Sequence, residues 1–143
     1  MENFIYSIPT TIYFGKGQIE HVSQAVRPYG KKALIVYGGG SVKKNGIFDR
    51  VTEILEHEGI AWEELGGVEP NPRIETVRKG AEFCKAGNIE VVLPIGGGST
   101  IDCAKIIAAG ALYDGDAWDL VLDGKKIQAA LPIVAVLTLA ATG

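Results

Sequence analysis

The stretch Val91-Val92-Leu93-Pro94-Ile95-Gly96-Gly97-Gly98-Ser99-Thr100-Ile101-Asp102-Cys103-Ala104-Lys105 decides the fold. An apolar run of strand character stops at three glycines and a hydroxyl pair, and a helical pattern starts at once. Glycines without Cβ atoms let a ligand approach the backbone. The first turn of the helix brings N–H groups without internal partners, and its dipole favours negative charge. Such a turn predicts an anion seat. Leu34-Ile35-Val36-Tyr37-Gly38-Gly39-Gly40-Ser41 repeats the device earlier in the chain. Two such turns suit a ligand with more than one phosphate, or with a phosphate and a sugar.

Outward from these turns, strands and helices alternate. Ala33–Tyr37 is a continuous apolar run, the mark of a strand buried on both faces, and residues 90–95 form the third apolar strand. Residues 60–65 form a shorter strand and residues 131–137 the last one. The run from Ala129 to Ala141 is too short to span a bilayer and contains Pro132, so it reads as a buried parallel strand with its flanks. Helical spacing links Ile19, Val22 and Val26, then Phe48, Val51, Ile54 and Leu55, then Ile74, Val77, Ala81 and Cys84. Small residues dominate the helix from Ser99 to Gly110 and allow close packing. Residues 111–128 are polar and rich in turn formers. Residues 4–14 alternate loosely around Pro9 and predict two short strands joined by a turn.

The expected fold is α/β, a Rossmann-like parallel sheet with helices on both faces and an N-terminal β-hairpin. Ligands of such sheets bind beyond the carboxyl ends of the strands. Gly38–Ser41, Asn71, Gly96–Asp102 and Thr138–Gly143 all fall there.

Composition sets outer bounds. The chain has 143 residues, 47% hydrophobic and 22% charged, enough for one domain, 1–143, with a proper core. A net charge of -3 gives no basic field for nucleic acid or an anionic membrane, so neither is expected as a partner. Cys84 and Cys103 sit on apolar helical positions, and buried free thiols suit a reducing cytoplasm. The N-terminus, Met1-Glu2-Asn3-Phe4, has neither the basic nor the apolar region of a signal peptide.

Neither turn fits GxGxxG, because Lys43 and Ile101 occupy the third-glycine positions. Ser99 and Asp102 have the spacing of a capping pair; Asp102 could instead accept a hydrogen bond from a ligand amide. The first turn carries no acid to grip a ribose 2′-hydroxyl, and Lys43 and Lys44 follow it. That favours NADP over NAD. The two lysines could equally be a solvated helix start. His21 and His57 lie on amphipathic helices away from the strand ends. No metal-ligand spacing and no Ser-His-Asp set converge, so catalytic and metal residues are none in this chain.

The chain resembles the iron-containing (group III) alcohol dehydrogenase family, in its NADPH-dependent aldehyde reductase and butanol dehydrogenase branch. The matching segments run in order along the whole chain: Pro9-Thr10, Phe14–Gly17, Tyr37–Lys44, Glu69–Pro72, Gly96–Ser99 with Asp102 and Lys105, and Leu137–Gly143. The resemblance implies a two-domain enzyme. Its N-terminal half binds NAD(P) and its helical C-terminal half holds iron or zinc. A hydride passes between the nicotinamide and a small-molecule alcohol or aldehyde. By motif, Gly39, Gly40 and Ser41 would hold the adenosine ribose and its 2′-phosphate. Gly97, Gly98 and Ser99 would hold the pyrophosphate, and Asp102 would lie on the nicotinamide side. Thr138, Leu139 and Thr142 would line the adenine and phosphate wall, with Asn71 at the cleft edge.

In the family, Ser-Glu and then the metal ligands, one aspartate and three histidines, follow the Thr142-Gly143 pair. This chain stops at Gly143, so the polypeptide alone is expected to be inert. A bared apolar face and the hairpin predict self-association, as a homodimer. A non-catalytic dinucleotide-binding module and a glycerol dehydrogenase-like enzyme are the alternatives.

Overall fold

The computed structural model describes residues 3–140. Its strands are β1 (Lys32–Tyr37), β2 (Ala61–Leu65), β3 (Val91–Gly96) and β4 (Val136–Leu137). They form one parallel sheet in the order β2-β1-β3-β4. The helices are α1 (Val22–Val26), α2 (Ser41–Lys44), α3 (Ile47–His57), α4 (Ile74–Gly87), α5 (Gly98–Gly110) and α6 (Ala117–Leu122). A 3-10 turn, Gln18–His21, leads into α1.

Side-chain alternation on the central strands divides the core. Ala33, Ile35, Val91, Leu93 and Ile95 face Val22 and Val26 of α1 and Phe48, Val51 and Leu55 of α3. Leu34, Val36 and Val92 face Val77 and Cys84 of α4, Cys103, Ala104 and Ile107 of α5, and Ala117 of α6. Helices therefore cover both faces, as expected. Gly80 shows how close α4 and α5 come: a Cβ there would lie 2.5 Å from Ile107 Cδ1.

The strand order carries the functional geometry. From β1 the chain crosses to β2 on one side, then returns past β1 to β3 on the other. The loops leaving β1 and β3 thus diverge, and a crevice opens between them at the switch point. Tyr37 pairs with Ile95, so Gly38 and Gly96 leave the sheet side by side.

Three expectations are corrected. Residues 3–14 form no strand, so the N-terminal hairpin is absent. Phe4, Ile5 and Phe14 are 80%, 99% and 94% exposed, Pro9 offers no N–H, and a hairpin without a sheet to lie on is marginal. The last strand is not a buried run over 131–137 but the two residues of β4, plus an isolated bridge between Ile133 and Val92. Pro94 is the reason. The Val92 N–H donates to Pro132 O and Val134 N–H donates to Val92 O, so β3's even-numbered residues face β4. Pro94 is the next of them and has no N–H, which removes the rung between the bridge and β4. Finally, the polar span 111–128 contains α6. Asp116 caps it by accepting from the Trp118 N–H, and an aspartate before an apolar run is a sequence mark of such a start.

Candidate functional site

The two glycine turns look alike in sequence and differ in structure. At the second, Gly96 still belongs to β3, Gly97 is the N-cap with extended backbone (φ -93°, ψ -166°), and Gly98 is already helical. At the first, the cap is Gly40 in the left-handed region (φ 96°), and Ser41 opens a helix of a single turn. So the second turn feeds the 13 residues of α5, while the first feeds four residues that stop before α3. A four-residue helix has almost no macrodipole, so the dipole expected at Ser41 is not there.

Each glycine has its own reason. Gly96 is required by packing, since a Cβ would lie 2.6 Å from Thr100 Oγ1. Gly38 packs less tightly, with 3.3 Å from that position to Val68 O. Gly40 is required by its positive φ. Gly39, Gly97 and Gly98 have ordinary φ values, and a Cβ on any of them would meet no atom within 4 Å. Neither backbone strain nor internal packing accounts for these three.

The loop after β2 joins the turns. Gly67 N–H donates to Gly38 O at 3.0 Å and Val68 N–H to Tyr37 O at 3.1 Å. At the other end, Ser99 Oγ donates to Pro70 O. Asn71 is exposed beside that contact. Ser99 therefore anchors the loop instead of capping α5, and no side chain among the described residues caps that helix. The capping-pair reading is overturned: Asp102 lies in the next turn of the helix, exposed, with Lys105 Nζ 3.2 Å away. Thr138 N–H donates to Gly96 O at 3.0 Å, which brings residue 138 to the rim. Leu139 is 70% exposed. Thr142 lies outside the described residues.

One charged and aromatic cluster beside the first turn escaped the sequence reading. Lys43 Nζ lies 2.7 Å from Glu64 Oε2, and the Tyr37 hydroxyl donates to the same oxygen at 3.0 Å. Lys43 Nζ also stands 5.0 Å from the Tyr37 ring centroid and 4.5 Å from that of Phe48. The ion pair with Lys43, helped by the Tyr37 hydroxyl, holds the Glu64 carboxyl below its usual range. Glu64 and then Tyr37 push the Lys43 ammonium up. A carboxylate on the neighbouring strand thus reaches the lysine that follows the acid-free first turn. Register places Glu64 beside Ile35, a pairing that alternation alone does not reveal.

Cys84 and Cys103 are buried and free, and burial pushes their thiols up to about 12 and about 11. Both are inert core residues. Two shallow depressions lie elsewhere. One, of about 450 Å³, is lined by Arg27 and Glu58 near the starts of β1 and β2, the far end of the sheet. The other, of about 270 Å³, lies between α4 and α6.

Residues 9–143 match the model of the iron-containing alcohol dehydrogenases. The chain belongs to this family. It is 59% identical over its whole length to NADH-dependent butanol dehydrogenase A of Clostridium acetobutylicum, of which it covers 37%. It is 42% identical to the NADPH-dependent aldehyde reductase YqhD of Escherichia coli, again covering 37%. The crystal structure of NADH-dependent butanol dehydrogenase A from Thermotoga maritima superposes with a TM-score of 0.94 at 48% identity, over 99% of this chain and 36% of that one. The chain thus spans little more than a third of these family members. No described helix is long and apolar enough to cross a membrane.

Proposed function

We propose that residues 1–143 are the dinucleotide-binding domain of an NAD(P)H-dependent, metal-dependent alcohol dehydrogenase or aldehyde reductase acting on short-chain alcohols and aldehydes. One observation carries this reading. Gly39, Gly97 and Gly98 bear no conformational or packing need for glycine, yet they border the switch-point crevice. Close approach of a ligand to bare backbone is the requirement left.

The residues fit a dinucleotide. The N–H groups of Gly98, Ser99 and Thr100, in the uncapped first turn of α5, would hold the pyrophosphate. Gly39, Gly40 and Ser41 would take the adenosine ribose. The loop pinned by Ser99, with Asn71, would close one side, and Thr138, Leu139 and Thr142 the other. Asp102, one helical turn on, would stand towards the nicotinamide. A bound nicotinamide would supply hydride transfer, and the chain's own residues would hold and orient it.

The residues do not fit the family's metal. Among the described residues no three His, Cys, Asp or Glu side chains come together. The polypeptide alone should therefore turn over no butanal with either cofactor. A homodimer is supported by the exposed Phe4, Ile5 and Phe14, and a reducing cytoplasm by the two free thiols.

For the choice of cofactor, the acid-free first turn favours NADP. The Glu64 carboxylate beside Lys43 favours NAD, and the relatives include both an NADH-dependent and an NADPH-dependent enzyme. Calorimetric titration of the chain with NADH and NADPH tests the proposal. Saturable binding of at least one supports it, and a folded chain that binds neither overturns it.

A further inference from the structure

We propose that Glu64 is a positioning residue that sets the response of this chain to a ribose 2′-phosphate, by holding the Lys43 ammonium away from it. The inference rests on the reading that a dinucleotide lies across the two glycine turns, with its adenosine end at Gly39–Ser41.

Lys43 lies two residues beyond Ser41, on the single turn of α2, next to Lys44, and is the cation there that an acid engages. It is already engaged. Its Nζ contacts Glu64 at 2.7 Å and stands over two aromatic rings. Glu64 in turn accepts from both Lys43 and the Tyr37 hydroxyl.

The cluster is seated, not incidental. A Cβ on Gly66 would lie 2.6 Å from Tyr37 Cζ, so glycine there gives the Tyr37 ring its place. Phe48 packs edge-on against both Tyr37 and Trp62, at 5.3 and 5.7 Å. Glu64 itself is 40% exposed on β2, an edge strand among the described residues. No core packing demands a carboxylate there.

The consequence is a charge balance. A 2′-phosphate arriving at the first turn meets a neutral Lys43–Glu64 pair instead of a free cation. A 2′-hydroxyl loses nothing by that, because it needs no counter-charge and can donate to a carboxylate. With almost no helix dipole at α2, these two side chains decide the local potential.

The test is titration of NADH and NADPH into the chain and into the variants E64Q, K43M and E64Q/K43M, with circular dichroism to confirm folding. E64Q frees the ammonium and should tighten NADPH by roughly fivefold to tenfold while leaving NADH within about twofold, the range of a partly screened charge. K43M leaves the carboxylate uncompensated and should weaken NADPH by a similar factor. The double variant should return near the starting ratio. A purely structural role would move both cofactors together. An NADPH/NADH ratio unchanged in both single variants, with binding intact, overturns this inference and leaves the cofactor reading standing. Failure of the unaltered chain to bind either dinucleotide overturns both.

Discussion

The same four letters, Gly-Gly-Gly-Ser, build two different devices in this chain. After β3 they launch α5, a long helix packed into the core through Cys103, Ala104, Ile107 and Ala108. After β1 they launch one turn, and charged side chains take over. The offset is a single residue: the cap is the second glycine at 96–98 and the third at 38–40. The contacts of the first glycines differ in the same sense. Gly96, the last residue of β3, is held against Thr100 of the α5 helix that follows, whereas Gly38 is held by the loop after β2. A glycine-rich turn is therefore not one kind of anion site. Its strength depends on how much helix stands behind it and how firmly that helix is fixed.

The sharpest way to break this contrast is to fill the open glycines. Gly98→Val should leave the fold intact, because a Cβ there meets nothing within 4 Å, yet should weaken dinucleotide binding at least about a hundredfold. Gly39→Val at the first turn should cost only about tenfold. Calorimetry on both variants checks the order. If Gly39→Val proves the more damaging, the first turn is the main phosphate seat and the comparison is inverted.

Gly96→Ala probes the opposite property. The added Cβ collides with Thr100 Oγ1, so the variant should lose about 1–3 kcal/mol of stability, as overpacking does. The denaturant midpoint should fall with an unchanged m-value. A neutral result would show that β3 and α5 are not locked together.

Much of this was legible in the sequence, and the exceptions have physical causes. Apolar runs at 33–37 and 91–95 declare buried parallel strands because both faces are covered. Helices α3 and α4 follow from their stripes, and α5 from the run of small residues after the second turn. The helix at Ser41 reads as a continuous run into Phe48, yet Asn45 and Gly46 interrupt it, with Gly46 left-handed at φ 81°. The run 129–141 hides the lost rung because Pro94's missing N–H acts on a partner some forty residues away. Residues 4–14 alternate well enough for strands, but Pro9 offers no N–H and no sheet lies beneath them. At the site, glycines and Ser99 were visible as a group, but the role of Ser99 depends on Pro70, brought in by the loop after β2. Glu64 was invisible for the same reason: a strand register, not a motif, places it beside Lys43.

That long-range tie gives a gentler test. Ser99→Ala removes the hydrogen bond to Pro70 O, a bond worth about 0.5–1.5 kcal/mol. The loop around Asn71 should exchange its amide hydrogens faster, and dinucleotide binding should weaken a few-fold while Gly38's own contacts persist. Equal loosening at both turns would mean that the loop is one rigid strap.

The smallest effect concerns what braces α5. Arg78 on α4 clamps Asp116, the cap of α6, through two hydrogen bonds of 2.9 and 2.7 Å, and both helices pack on α5. The Arg78 guanidinium, aided by the Trp118 N–H, lowers the Asp116 carboxyl from 3.8 to about 2. A carboxyl with a depressed folded pKa favours the folded state fully above its unfolded value. That contribution fades as pH falls from about 3.8 towards about 2. Asp116→Asn keeps the cap acceptor for the Trp118 N–H and removes the charge together with the second acceptor oxygen that Arg78 uses. Its melting temperature should lie slightly below that of the unaltered chain at pH 6, with the gap closing by pH 2. Dinucleotide binding at neutral pH should not change, since the brace lies behind the helix and away from its first turn. A gap that persists at pH 2 would assign the stabilisation to cap geometry alone, and the clamp would then add nothing to the rigidity that separates the second turn from the first.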